Sequence, residues 1–97
     1  MPSVGKLVSV FEDARKLLAD PGNDFAWSSW AGHEDALEEL DSILSGLRAG
    51  VLPGELSMEV LFAPTGPIQE VSLSSGWGKE FLALAERFDA AMAASDT

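Results

Sequence analysis

The sequence predicts an α+β fold: a compact single domain in the order α-α-β-β-α, with three amphipathic helices packed on a small antiparallel β-hairpin sheet. Three observations predict it. Apolar residues recur at steps of three and four in three long stretches, the period changes to two from Leu56, and the turn-forming segment APTGP separates two short apolar runs. Ninety-seven residues hold one modest core and not two, so residues 1–97 read as one domain, with 1–3 and 93–97 expected to fray.

The first helix is expected over residues 4–19. Leu7, Phe11, Ala14 and Leu18 form its stripe, and Val8 and Leu17 widen it. Ser3 is positioned as N-cap, Glu12 and Lys16 form a favourable pair four apart, and Asp20-Pro21-Gly22 stops the helix. Its polar face mixes Glu12 and Asp13 with Arg15 and Lys16, whereas a helix lying on a membrane would be strongly basic there.

In the next stretch, NDFAWSSWAGHED, Phe25 and Trp27 alternate, which allows an extra short strand near residues 25–28. A second helix follows over residues 31–48. Its seam is Leu37, Leu40, Leu44 and Leu47 with Ile43 beside it, Ser28 or Ser29 is placed to cap its start, and Gly50 and Pro53 mark its end.

From Leu56 onward, Leu56, Met58, Val60 and Phe62 alternate with Ser57, Glu59, Leu61 and Ala63, as in a half-buried strand. Pro64, Gly66 and Pro67 supply the turn, and IQEVSL returns as the second strand. Ile68 falls out of phase with Val71, which a strand would absorb as a bulge. The last helix carries the stripe Trp77, Phe81, Leu84, Ala85, Phe88 and Met92. A lone hairpin leaves backbone edges open, so a homodimer joined through that edge is one expectation.

Composition narrows the function classes. Six basic residues against sixteen acidic ones leave a formal charge of -10, which opposes nucleic acid and anionic membranes as partners and favours a basic protein. The apolar runs are too short to span a bilayer and the N-terminus lacks a secretory pattern, so a cytoplasmic location is the expectation. Without cysteine there is no disulfide, no thiolate nucleophile and no cysteine zinc site.

Four features invite a functional reading. SSGWGK, residues 74–79, superficially matches a phosphate loop, but the spacing of its glycines and the Glu80 that follows Lys79 do not fit one. A strand-to-helix corner is the simpler reading, with Ser75 capping the helix and Trp77 tucked beneath it. The second feature is Trp27 and Trp30, flanking two serines: large aromatics in a small domain supply core area, and the alternative is a partner-facing patch.

The third is the acidic row Glu34, Asp35, Glu38 and Glu39, in which like charges stand four apart twice over. A solvated helix face explains it, as does docking of a basic partner; a calcium site would need a folded loop that is not evident. The fourth, His33, has no ligand partner three or four residues onward, so neither catalytic nor metal-binding residues nor a cofactor site are assigned. The expectation is a small acidic interaction or regulatory module that binds a basic protein, for example an immunity- or inhibitor-type protein covering a cationic site. Glu34, Asp35, Glu38, Glu39, Trp27 and Trp30 are its candidate contacts. A homo-oligomeric structural protein, or a small-ligand or enzymatic domain with a pocket near residues 74–78, are the alternatives, and the balance leans away from an enzyme.

Overall fold

A computed structural model describes residues 3–25, 28, 30–51, 55–62 and 66–93. Those residues form five helices and no strand, which overturns the α+β expectation: α1 is Val4–Leu18, α2 His33–Arg48, α3 Glu55–Phe62, α4 Pro67–Ser75 and α5 Gly78–Ala93. The three long helices fall close to where periodicity puts them. Both segments expected as hairpin strands are helical instead.

The physical reason lies in which side chains are buried. Met58, Leu61 and Phe62 are inside, at steps of three and four, while Val60 is 49% exposed. A strand would have put Met58 and Val60 on the same face. Glu, Leu and Met, which dominate ELSMEVLF, also favour a helix over a strand. In α4 the buried set is Pro67, Ile68, Val71 and Ser72, so the phase defect between Ile68 and Val71 is a helical step of three and not a bulge. Pro67 opens α4 at a position where its missing N–H costs nothing. Residues 63–65 of the expected turn lie outside the described residues, and Gly66 is the N-cap of α4.

The extra strand at 25–28 is also absent where it can be followed. Ser28 turns back on Phe25 through an N–H···O bond of 3.1 Å, and Ala26 and Trp27 lie outside the described residues. With the hairpin goes the open sheet edge on which strand-mediated dimerisation depended.

Caps fix the long helices. Ser3 accepts the Lys6 amide at 3.4 Å, and its own N–H donates to the Ala91 carbonyl at 2.9 Å, tying the start of α1 to α5. Gly32, not a serine, occupies the N-cap of α2. At the other end of α2, Gly50 has φ 79°, and the amides of Gly50 and Val51 close onto the carbonyls of Leu47 and Gly46. That six-to-one and five-to-two pairing satisfies carbonyls the helix would otherwise leave open.

Helix α1 packs against both α2 and α5, and α4 joins α3 to α5. At the centre Phe11 of α1 meets Phe62 edge-on at 5.5 Å and Phe88 at 6.2 Å, while Phe62 stacks on Phe88 at 4.6 Å. Four aromatic rings, with Phe81 as the fourth, thus join three helices. The one fully buried polar side chain described, Ser72, is satisfied by donating to the Gln69 carbonyl at 2.7 Å.

Candidate functional site

The acidic row on α2 divides into two kinds of carboxylate. Asp35 accepts the Ala31 amide at 3.2 Å and Glu39 accepts the indole N–H of Trp30 at 2.9 Å, so both hold the chain entering the helix. Trp30 itself is buried, 8% exposed, and packs edge-on against Phe25. It is a core residue whose polar edge is neutralised by Glu39. Glu34 and Glu38 are exposed and make no ion pair among the described residues. Trp27, the remaining candidate contact, lies outside the described residues.

The arginines sit elsewhere. Arg15 makes a two-pronged pair with Asp41, at 2.5 and 3.2 Å; Arg48 reaches Glu12 at 2.7 Å; and Arg87 reaches Asp13 at 2.8 Å. Lys16 stands 4.0 Å from Asp13. Glu12 therefore pairs across to α2, not with Lys16 along its own helix. The belt stitches α1 to α2 and α5, and each exposed pair contributes little alone.

The Arg15 pair has a pH signature. The hydrogen bond from Arg15 holds the Asp41 carboxyl below the usual aspartate range; desolvation opposes this, and the charges of Arg15 and Arg48 support it. A depressed folded-state value means the pair's contribution is present above the unfolded value of about 3.9 and is lost as pH falls through the folded one. The same contact raises Arg15, whose contribution is lost only at alkaline pH beyond ordinary titrations. Asp41→Asn is therefore expected to lower the melting temperature slightly at pH 7, with the gap to wild type closing in acid. Thermal melts from neutral pH to below the aspartate range check this, and a gap that widens in acid contradicts it.

The 74–78 segment is a helix-to-helix corner. Gly76 takes φ 86° after α4, its amide and that of Trp77 both close onto the Ser72 carbonyl, and Gly78 opens α5. Ser75 does not cap α5: its hydroxyl accepts the Asp24 amide at 2.9 Å. Trp77 is buried as expected, and its indole N–H donates to Asn23 at 2.8 Å, while Asn23 donates in turn to the Leu17 carbonyl at 2.6 Å. These bonds clamp the loop after α1 to the corner.

His33 belongs to the same clamp. Its ring lies 4.6 Å from that of Phe25, and Nε2 is 2.7 Å from the Asp20 carbonyl oxygen. A carbonyl only accepts, so Nε2 carries the proton and donates. Among the described residues no three His, Asp or Glu side chains converge as a cation-binding group.

The feature that periodicity does not reveal is a groove between α3, α4 and α5, of about 640 Å³. Its floor is Phe62, Phe81 and Phe88; Leu82, Ala85 and Met92 line it along α5; Glu59 of α3 and Asp89 of α5 supply the charge. Leu82 is 61% exposed. Exposed large apolar side chains are unevenly spread: Val60, Leu73 and Leu82 lie on α3, α4 and α5, Val51 precedes α3, and none among the described residues is on α1 or α2. One signal was in the sequence: Leu82 is a large apolar residue off the main seam of α5. The opposite wall could not be seen while residues 56–62 read as a strand.

Among the described residues no helix is long and apolar enough to cross a membrane. Comparison with family models, curated proteins and solved structures gives no match to this chain. The described residues define the class: an acidic chain of five helices, ion-paired along α1 and bearing on α3, α4 and α5 an open groove with an aromatic floor and acidic residues on its walls.

Proposed function

We propose that this chain is a small interaction module that binds a basic partner protein, as an inhibitor or immunity-type protein covers a cationic site. The carrying observation is the distribution of charge. All three arginines are spent on carboxylates of α1 and α2, so the acidic excess falls on side chains outside that belt, Glu34 and Glu38 at the start of α2 among them. Clustered charge of one sign speeds encounter with the opposite sign and disfavours wrong partners.

The test is capture from native lysate with quantitative mass spectrometry. Basic proteins are expected at low salt, with loss near about 0.5 M salt, where screening shortens the reach of charge to a few ångströms. Glu34→Gln with Glu38→Gln is the cleaner variant, because Asp35 and Glu39 also hold the fold. It is expected to weaken capture without changing the melting temperature. Retention of the same proteins by the variant and in high salt removes the reading.

A further inference from the structure

We infer that the groove between α3, α4 and α5 is the seat of an amphipathic, basic helix contributed by a partner protein. This rests on the basic-partner reading above and adds to it a place and a shape.

The groove's dimensions suit a helix. Its α5 wall runs from Phe81 to Met92, eleven residues later, which at a rise of about 1.5 Å per residue is about 16 Å, or three turns. Above the buried floor of Phe81 and Phe88, the α5 side chains a partner reaches are exposed Leu82 and half-buried Ala85 and Met92, at steps of three and seven, which match one apolar face of a second helix. An extended segment would lack a strand to pair with here, because the described residues offer no sheet edge. A helix arrives with its backbone satisfied.

Charge selects the occupant. The groove's two ionisable lining residues, Glu59 and Asp89, are both acidic, on opposite walls, and neither has an ion pair among the described residues. Arg87, two residues before Asp89, is turned to Asp13 of α1. A second copy of this chain presenting the same face would set Glu59 and Asp89 against themselves on a molecule already at -10. An anionic membrane is repelled by the same groups. Lysine or arginine flanking an apolar stripe meets the acids with its head while its own stem lies along Leu82, Ala85 and Met92.

The probe is an amidated Leu/Lys peptide of about 14 residues, with leucines at helical steps of three and four, compared with a scramble of identical composition and with a Leu/Glu version. Calorimetry and helix content by circular dichroism report binding. The patterned peptide is expected to bind about tenfold or more tightly than the scramble and to become helical on the protein. Leu82→Arg, at an exposed position, is expected to cost about tenfold or more in affinity with no change in melting temperature. Glu59→Gln with Asp89→Asn is expected to flatten the salt dependence.

Equal binding of the patterned peptide and the scramble overturns the groove assignment and leaves the basic-partner reading standing. Equal binding of the Leu/Glu peptide overturns the charge selection as well. Loss on Glu34→Gln/Glu38→Gln with no effect of Leu82→Arg moves the contact to α2 and overturns the groove. Absence of peptide binding overturns it too, with lysate capture still judging the wider reading. A dimer in light scattering that Leu82→Arg dissociates names a second copy as the occupant and also overturns it.

Discussion

Phe11→Ala is expected to destabilise the domain by about 3–5 kcal/mol, the cost of emptying an aromatic site in a core that relaxes only partly. Phe11 is 0% exposed and sits on the inner face of α1, where Leu7, Val10 and Ala14 surround it along the helix and Phe62 and Phe88 meet it from α3 and α5. Its removal therefore loosens three helices at once. Against a total stability of roughly 5–15 kcal/mol for a domain of this kind, that is a large fraction. The melting temperature should fall by about 15 °C or more. Phe11→Leu keeps most of the volume but loses two edge-to-face contacts, each contributing about 0.5–1.5 kcal/mol, so it should fall between wild type and the alanine variant. Thermal melts and urea titrations check both. An alanine variant melting within a few degrees of wild type would mean that the ring cluster does not organise the core.

The long helices were legible in the sequence because each carries several turns of one apolar stripe and a stop or start signal. Leu7, Phe11, Ala14 and Leu18 repeat within the 15 residues of α1, and Gly50 closes α2 in the left-handed conformation its position suggests. The two short helices were not. Eight residues such as ELSMEVLF satisfy a period of two through Met58, Val60 and Phe62, and a helical period through Met58, Leu61 and Phe62. Periodicity alone does not choose between them over so short a run. Two local signals did favour helix: the step of three between Ile68 and Val71, and Gly76 standing where a helix C-terminus needs a left-handed residue.

The candidate site follows the same division. The acidic row is plain in the sequence, but that Asp35 and Glu39 are engaged is not, because their donors, the Ala31 amide and the Trp30 indole, come from the irregular chain before α2. The groove needs α3 as a helix before Glu59 and Phe62 can face Leu82 and Asp89. Tertiary geometry, unlike charge, had to be seen.

Met58→Lys and Val60→Lys turn that difference into a measurement. Successive helical residues advance by about 100°, so positions 58 and 60 point to nearly opposite sides, whereas in a strand they share a face. Met58 is 0% exposed and Val60 is 49% exposed. Placing an ammonium group at Met58 strands a charge in the core at an effective cost of several kcal/mol. The variant is expected to be unfolded or nearly so at room temperature. Val60→Lys leaves the core untouched and replaces a β-branched residue with a better helix former, so it should stay within about 0.5 kcal/mol of wild type. Far-ultraviolet circular dichroism and thermal melts of the pair decide it. Equal damage from both would restore a strand at 56–62 and take the groove with it, since its α3 wall would no longer exist.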